Sequence, residues 1–254
     1  MQLLPIVTPI LAADDALTDI LLERASFEEG DILALSSKAV ATTEGAAIAL
    51  ETIEPSAQAR ELAAQCGQTP QMRQAMLDET ARMHGTTVGQ CPYAVLTELR
   101  PDGLTQGTIM AASAGIDHSN VPAGFVVGWP RDPVASAHRI RQELLEKTGK
   151  NVAVVITDSC CRPRRLGVAA IALTVSGFDP IRDMRGQKDL FGKELQMTQE
   201  ALADQLATAA NILMGNAGQS TPAVIIRDHH IPFSDFEGWV PGIEPEEDLF
   251  RGVV

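Results

Sequence analysis

The sequence predicts an α+β protein, in which strands and helices follow one another in mixed order to form mixed sheets with flanking helices. Short unbroken apolar runs at residues 32–35 and 152–156 are typical of strands that are covered on both faces. Longer segments repeat apolar residues at helical spacing, most clearly between Asp132 and Gly149. Strands and helices do not alternate regularly, so the pattern does not predict a Rossmann fold.

The first half of the chain predicts two strands and a pair of helices. Residues 1–13 are apolar but begin without a basic residue and contain two prolines, so we interpret them as a buried strand and turn rather than a signal peptide. Residues 32–35 form the second predicted strand. Residues 55–66 and 70–83 predict two helices separated by Gly67, each with one apolar face.

The second half of the chain predicts four strands and two helices. A strand at 125–129 precedes Asp132 and Pro133, which suit the N-cap and first position of a helix that ends at Gly149. The next strand, at residues 152–156, delivers Asp158 at its carboxyl end. The remaining predicted elements are a strand at 168–175, a helix from Thr198 to Gly215 and a strand at 223–226.

Composition indicates an enzyme-sized globular chain. Hydrophobic residues make up 45% and charged residues 21% of 254 residues, and we expect one domain over 1–254, with two lobes as the alternative and no clear linker. The net charge is −13 and no basic run is long enough to follow a phosphate backbone, so we expect no nucleic-acid partner. We also expect no membrane span, a cytoplasmic location and four reduced cysteines.

Four polar segments interrupt the apolar pattern. The first is Ser36-Ser37-Lys38, which suits either a helix cap or a set of donors for a phosphate or a base. The second spans residues 114–122 and contains Asp117, with an Asx-turn as the alternative to a binding site. The fourth spans residues 214–222, where glycines suit a helix end or a loop that wraps phosphates.

The third segment, residues 157–165, carries the clearest chemical signal. Asp158 leaves a buried strand and is followed by Ser159 and three arginines. Carboxylate and hydroxyl oxygens are ligands that Mg²⁺ or Mn²⁺ accepts, and arginines bind phosphate or carboxylate with two hydrogen bonds. A solvent-exposed loop with salt bridges is the alternative. Because neither GxGxxG nor a Walker A sequence is present, any nucleotide site must be of another kind.

The order of these segments resembles the coenzyme F420:L-glutamate ligase family, also called F420-0:gamma-glutamyl ligase. The matching words include Ala-Gly-Ile-Asp-x-Ser-Asn-Val-Pro at 114–122, Pro-Arg-Asp-Pro at 130–133 and Asp158-Ser159. They continue with Arg-Asp-Met-Arg-Gly at 182–186, Asp-Leu-Phe-Gly-Lys-Glu-Leu at 189–195 and Glu-Glu-Asp-Leu-Phe-Arg at 246–251. The resemblance therefore extends over nearly the whole chain.

The resemblance implies a family-specific α+β fold in an intertwined homodimer. It also implies the reaction: GTP activates the terminal carboxylate of a deazaflavin coenzyme precursor as an acyl phosphate, and the amine of L-glutamate then displaces phosphate. Mg²⁺ or Mn²⁺ at two sites would assist, with K⁺ as a further candidate ion. Arginines and metals would have to neutralise the phosphoryl group, because the chain itself is acidic.

The resemblance further implies the site residues. Asp117 and Asp158 would be catalytic and would share one metal ion, with Ser159 and Asn216 serving a second. Arg162 would be catalytic in phosphoryl transfer. The nucleotide positions would be Leu4, Pro5, Ile6, Val7, Ser36, Ser37, Lys38, Asn120, Met214, Gly215, Asn216, Ala217 and Gly218.

Several positions depart from the family pattern. Thr42 stands where lysine is frequent, and Cys161 stands where glycine is common before the Arg-Pro pair. Two alternatives therefore stay open beside the glutamate ligase. One is an amide ligase of the same family with another acceptor, and the other is a catalytically silent homologue that binds nucleotide or metal.

Overall fold

The structure, a computed structural model, describes residues 1–252 and is the α+β arrangement of mixed sheets and flanking helices that the sequence predicts. Within those residues the helices are α1 (Leu17–Arg24), α2 (Ser37–Thr43), α3 (Ala57–Cys66), α4 (Pro70–Arg82), α5 (Pro133–Thr148) and α6 (Leu202–Met214). The strands are β1 (Gln2–Ile6), β2 (Ile32–Ser36), β3 (Ile48–Ala49), β4 (Thr86–Gln90), β5 (Val95–Leu99), β6 (Ile109–Ala112), β7 (Phe125–Val126), β8 (Ala153–Cys161), β9 (Val168–Ser176), β10 (Arg182–Asp183), β11 (Gln199–Glu200), β12 (Ala223–Arg227) and β13 (Glu237–Trp239).

The largest sheet has six strands in the order β1-β12-β2-β8-β9-β13. Its β2–β8 pair is parallel, and its other pairs are antiparallel. This mixed direction explains why the sequence lacks a regular βαβ alternation. Smaller sheets are formed by β4-β5-β6, β3-β7 and β10-β11.

The central strands of the large sheet send side chains into two cores. On β2, Leu33 and Leu35 enter the core that α5 covers, whereas Ile32 and Ala34 enter the core that α6 covers. All four are fully buried, because a strand points successive side chains to opposite faces and both faces are covered. The unbroken apolar run of β2 follows from this arrangement, as predicted.

The predicted helices α3, α4 and α5 are confirmed, with bounds shifted by at most two residues. The Asp132 carboxylate accepts a hydrogen bond from Ala135 N at 2.9 Å at the start of α5, and Gly149 ends it with a φ of +69°. Ser56 and Thr69 cap α3 and α4 in the same way. These helices carry their start and stop signals in the sequence, so their positions are locally determined.

Two predictions at the sheet margin are wrong. β1 is not a buried strand, because it is the edge strand and pairs only with β12, which leaves Ile6 as its one buried residue. The last helix begins at Leu202 rather than Thr198, since Gln199–Glu200 pairs with Arg182–Asp183. Its buried face follows Leu202, Leu206, Ala210 and Met214, whereas Ala209 and Leu213 are half-buried.

Two further predicted strands have different lengths in the structure. β7 covers only Phe125–Val126, after which Val127 forms an isolated pair with Asp117. β8 continues to Cys161, so Asp158 lies inside the strand instead of following it. The continuation arises because β9 pairs with β8 as far as Cys161, while β2 pairs with β8 only as far as Thr157.

Candidate functional site

The carboxyl ends of three strands lie side by side at one end of the large sheet, where the strands stop, and not along an outer strand. β1, β2 and β8 run in the same direction, because β12 lies antiparallel between β1 and β2, and β8 is parallel to β2. The register places Ile6, Ala223, Leu35 and Ile156 in one row. The residues that follow this row on β1, β2 and β8, and those that precede it before β12, form what we call the site edge.

Asp158 lies at the site edge, two residues past the row. Its side chain is half-buried, and its Oδ2 accepts a hydrogen bond from Trp129 Nε1 at 2.6 Å. Its Oδ1 accepts one from Ser159 N at 2.9 Å. Burial raises the pKa of Asp158 above its usual range and outweighs the lowering effect of these donors. The carboxyl is therefore held in place but is costly to ionise without a cation.

Asp117 reaches the same edge from a loop. Its backbone N–H and carbonyl each bond to Val127, both at 2.9 Å. Lys38 Nζ donates to Asp117 Oδ2, to Ser119 Oγ at 2.7 Å and to the Ser119 carbonyl at 2.9 Å. Burial by itself raises the pKa of Asp117, but the hydrogen bonds from Lys38 and Ser119 lower it to about 2. This carboxylate is therefore ionised throughout the physiological range.

Lys38 links the two carboxylates electrostatically. It is the second residue of α2, which starts directly after β2 ends, so the helix carries its ammonium group to the site edge. The charge of Lys38 lowers the pKa of Asp158, and the charge of Asp117 raises it. The structure thus places Asp117, Asp158 and Lys38 close together, as the family resemblance implies for the two aspartates.

The turn before Asp117 is tightly built around an indole ring. Ser113, Ala114 and Gly115 all have positive φ values, of +51°, +53° and +76°. A Cβ on Gly115 would lie 2.5 Å from Trp129 Nε1, so glycine is required there by contact as well as by conformation. Thr97 Oγ1 supports the turn by accepting a hydrogen bond from Ala114 N at 3.1 Å.

Residues 215–222, which we call the glycine loop, complete the site edge. Asn120 Nδ2 donates to the Ala217 carbonyl at 3.0 Å, which ties this loop to the Asp117 loop. Thr8 N donates to the Ser220 carbonyl and Ser36 N to the Pro222 carbonyl, both at 2.9 Å. The ends of β1 and β2 are therefore joined to the same loop, and their assignment to one nucleotide site stays a prediction.

The predicted nucleotide residues have different environments at this edge. Ser37 and Met214 are buried, whereas Val7 is 57% exposed directly after β1. Gly215 ends α6 with a φ of +68°, and the Gln219 side chain lies against it, accepting a hydrogen bond from Ala217 N at 2.8 Å. The other predicted positions are Leu4, Pro5 and Ile6 on β1, Ser36 at the end of β2, and Asn216, Ala217 and Gly218 in the glycine loop.

Arg162 lies four residues beyond Asp158, in the turn that joins β8 to β9. It lies in the exposed turn between β8 and β9 with Arg164 and Arg165, and it lines a groove of about 490 Å³ along α6. Burial raises the pKa of Asp204 in this groove, and the charge of Arg162 lowers it. None of the hydrogen bonds among the described residues joins Arg162 to either aspartate. Its catalytic role stays a prediction.

The donor set of the site edge fits a metal ion that binds together with a substrate. Among residues 1–252, no group of three or more His, Cys, Asp or Glu side chains is arranged to hold an ion. Mg²⁺ is commonly held by one or two carboxylates, with waters and substrate phosphates completing its shell, and Asp117 and Asp158 suit that role. Ser159 and Asn216 are exposed, and their assignment to a second ion stays a prediction.

Two contributors to the site were not identified from the sequence. One is Trp129, whose partner Asp158 is 29 residues away. The other is the contact of Lys38 with Asp117, since Lys38 is predicted only as a nucleotide contact. The sequence offered a weak signal for Trp129, because one of the chain's two tryptophans stands seven residues after the polar segment 114–122.

The fold and the site together define a class of protein. None of the helices in residues 1–252 is long and apolar enough to cross a membrane. The site edge combines two carboxylates, a lysine and a loop with exposed backbone, which suits an anionic ligand bound through a hard cation. The chain is thus an α+β protein with a candidate site for metal-assisted chemistry on a phosphate-bearing molecule.

The particular family follows from comparison with known proteins. The chain belongs to the F420-0:gamma-glutamyl ligase family, whose model matches residues 5–228, and it is therefore a ligase. Three relatives are each named coenzyme F420:L-glutamate ligase. The protein from Methanopyrus kandleri is 40% identical over 97% of this chain and 95% of its own length. Those from Methanocaldococcus jannaschii and Archaeoglobus fulgidus are 38% and 36% identical, over 91% and 96% of this chain and 88% and 93% of their own lengths.

Proposed function

We propose that this chain is a GTP-dependent ligase that adds L-glutamate to the carboxylate of a deazaflavin coenzyme F420 precursor. Family membership and the names of its relatives support the glutamate and coenzyme substrates. The observation that carries the proposal is the site edge, where Asp117, Asp158 and Lys38 lie beside the glycine loop. This combination suits the phosphoryl chemistry that activates a carboxylate for amide formation.

The glycine loop and the strand ends would hold the nucleotide. Backbone N–H groups of a glycine-containing loop can bind phosphate oxygens, and Asn120 fixes this loop through the Ala217 carbonyl. Val7 is exposed beside it and offers an apolar surface to a base or ribose. Ser36 and Ser37 stand at the junction of β2 and α2, where the first backbone N–H groups of α2 point toward the same edge.

The reaction would proceed in two steps. The acceptor carboxylate oxygen attacks the γ-phosphorus of GTP, so that an acyl phosphate forms while the bond to the bridging oxygen breaks and GDP leaves. The glutamate amine then attacks the acyl carbon, loses a proton and displaces inorganic phosphate, which leaves an amide. A divalent ion, Mg²⁺ or Mn²⁺, with K⁺ as a further candidate, would neutralise the charge on the transferred phosphoryl group.

The Asp117 carboxylate is already ionised before a metal ion binds. Lys38 and Ser119 hold the pKa of Asp117 at about 2, so a cation would meet a carboxylate that needs no deprotonation. Asp158 is held by Trp129 and Ser159, with its pKa raised by burial, so a cation would stabilise its ionised form. Asp117 would bind a cation as it stands, whereas the ionised form of Asp158 would become more favourable once the cation is bound.

The direct test incubates purified protein with Mn²⁺, L-glutamate, GTP and the glutamate-free deazaflavin precursor. Mass spectrometry should detect the precursor plus one glutamyl unit, and GDP and phosphate should appear in equal amounts. A rate of phosphate release that does not depend on the precursor would favour a family ligase with another acceptor. Tight GTP binding without turnover of any acceptor would favour a catalytically silent homologue, and replacing GTP with ATP tests nucleotide preference.

We also propose that the chain works as a homodimer. The segment from Arg182 to Glu200 begins with β10 and ends with β11, and these two strands pair with each other. Between them, the side chains of Leu190, Phe191 and Met197 are 100%, 96% and 88% exposed. Large apolar side chains that are fully exposed commonly mark an interaction surface. The wild-type chain should elute as a dimer in size-exclusion chromatography with light scattering.

A substitution in this segment tests the dimer. Phe191→Asp should shift the measured mass toward one chain, because a charge would have to be buried in the interface. Tyr93→Asp is the matched control, since Tyr93 is also exposed, at 83%, but lies elsewhere on the surface. A wild-type protein of single-chain mass at micromolar concentration would contradict the proposal.

We also propose that the protein is cytoplasmic. The four cysteines are free within the described residues, including the adjacent Cys160 and Cys161, as a reducing compartment requires. Fractionation of the source cells with an antibody to the chain would test this location, and recovery in the extracellular fraction would contradict it.

A further inference from the structure

Trp129 contacts one carboxylate of the proposed metal site and the turn that precedes the other. Its side chain is only 2% exposed, and its Nε1 donates to Asp158 Oδ2 at 2.6 Å. The same indole packs against the backbone at Gly115, where an added Cβ would lie 2.5 Å from Nε1 and 2.7 Å from Cε2. Gly115 is two residues before Asp117. One rigid side chain therefore contacts both the Asp158 carboxylate and the turn that carries Asp117.

The indole is itself fixed from two sides. The backbone two residues before Trp129 is joined to Asp117 by the pair of hydrogen bonds at Val127. The ring packs against Trp239, with centroids 6.1 Å apart and an interplanar angle of 51°. Trp239 is anchored in turn by a hydrogen bond from its Nε1 to the Asp102 carbonyl at 3.0 Å. The Trp129 N–H is therefore directed at Asp158 by packing and not only by its own hydrogen bond.

We infer that Trp129 is a positioning residue, which orients the Asp158 carboxylate and sets its place relative to the Asp117 turn for one shared cation. The inference rests on the metal site of the proposed function. A single N–H donor occupies one lone pair of Asp158 Oδ2, restricts rotation of the carboxylate and leaves its other lone pairs for an ion. Groups that hydrogen-bond metal ligands in this way commonly contribute about 10- to 100-fold to metal affinity.

The test measures binding of Mn²⁺ alone, with free Mn²⁺ counted by electron paramagnetic resonance. Trp129→Phe keeps an aromatic ring but removes the donor, and it should weaken Mn²⁺ binding roughly 10-fold or more. Trp239→Phe is the matched control, because it keeps a ring that packs against Trp129 and also removes an indole N–H, but one that is donated to the Asp102 carbonyl rather than to Asp158. The control should bind Mn²⁺ as the wild-type protein does.

The outcomes separate the inference from the proposed function. Binding by wild-type protein that Asp158→Asn abolishes would support the metal site. If that holds and Trp129→Phe binds as tightly as the control, the positioning role is wrong while the metal site stands. If wild-type protein binds no Mn²⁺, either alone or with saturating GDP, both the metal site and the role of Trp129 are overturned.

A second measurement needs no substitution of Trp129. The chain has two tryptophans, so a ¹⁵N–¹H spectrum of labelled protein should show two indole signals, which Trp239→Phe assigns. Addition of Mg²⁺ should shift the Trp129 signal more than the Trp239 signal, since its N–H is bonded to a metal ligand. A Trp129 signal that stays unmoved when Mg²⁺ binding is saturated, as judged by calorimetry, would overturn the inference.

Discussion

The site edge holds two aspartates, one on a loop and one on a strand, and the hydrogen-bond partners of the two carboxylates differ. Asp117 lies in a loop and receives the charged Lys38 and two donors of Ser119, so its pKa falls to about 2. Asp158 lies in a strand and receives only the neutral donors of Trp129 and Ser159, so burial raises its pKa. The loop therefore carries the carboxylate with a charged partner, and the strand carries the carboxylate with neutral partners alone.

The difference between the partners of Asp117 and Asp158 indicates that the two carboxylates have different roles in one proposed metal site. The lysine compensates the charge of Asp117 when no other cation is bound, which keeps the loop in place. Asp158 has no ammonium partner of its own among the described residues, so an added cation would relieve its desolvation most.

Turnover should depend on both carboxylates. Asp158→Asn and Asp117→Asn should each lower the rate of amide formation roughly 10²- to 10³-fold or more, because each removes a charge that would bind the ion and each 1.36 kcal/mol is tenfold in rate. Steady-state assays of GDP release check this. Asp102→Asn, at an exposed carboxylate that contacts His84, should leave the rate unchanged. Full activity of Asp158→Asn would remove that residue from the metal site.

The turn before Asp117 should be less tolerant than a similar turn after it. Gly115→Ala should destabilise the protein by about 3 kcal/mol or more, because it adds a left-handed alanine and a contact with the Trp129 ring. Gly124→Ala is matched, since its φ is +85° but nothing lies within 4 Å of the added Cβ, so only about 1–2 kcal/mol is expected. Urea unfolding measures both, and equal losses would contradict the packing argument.

How far the sequence predicts this molecule depends on where the determining contacts lie. Helix α5 carries its cap at Asp132 and its stop at Gly149, and β2 is apolar on both faces, so both were predictable from local sequence. The outer half of β8 was not, because its polar residues are held in a strand only by β9. The small β4-β5-β6 sheet was also missed, although β5 alternates buried and half-buried residues.

In the candidate site, too, some features were predictable from the sequence and others were not. The resemblance named Asp117, Asp158 and the glycine loop, and the fold brings them to one edge. The bond from Trp129 to Asp158 and the ion pair of Lys38 with Asp117 join residues 29 and 79 positions apart. Such pairs depend on how the strands pack, which no local pattern reports.

Substitution of the two aspartates should have different effects on stability. Asp117→Asn should destabilise the protein by at most about 1 kcal/mol, because the Lys38 ammonium loses its charged partner but the Asp117 side chain is 42% exposed. Asp158→Asn should be nearly neutral, since removal of a desolvated charge offsets the loss of one hydrogen bond: the amide oxygen can still accept the Trp129 N–H, but the amide nitrogen cannot accept from Ser159 N. Thermal unfolding without added metal at pH 7 compares the two variants. A larger loss in Asp158→Asn would contradict the contrast.

The dependence of stability on pH should have opposite signs at the two sites. The lowered pKa of Asp117 means that the unfolded chain binds its proton more tightly, so this residue stabilises the fold above pH 3.8 and loses that effect as the pH falls toward about 2. Its contribution should be at most about 1 kcal/mol, because the side chain is 42% exposed. The raised pKa of Asp158 means that the folded chain binds its proton more tightly. That residue therefore favours the fold at low pH, and the effect is lost as the pH rises from 3.8 through its folded-state pKa.

Urea unfolding across this pH range in metal-free buffer separates the two contributions. Asp117→Asn should flatten the gain in stability between pH 2 and 4 relative to wild-type protein, because the titrating group is gone. Asp158→Asn should flatten the decline above pH 4 instead. Saturating Mg²⁺ should reverse the decline in wild-type protein, since an ion that binds the ionised carboxylate stabilises the folded chain by mass action. Identical pH profiles for both variants would show that the two carboxylates share one environment, and the contrast between the loop and the strand would be lost.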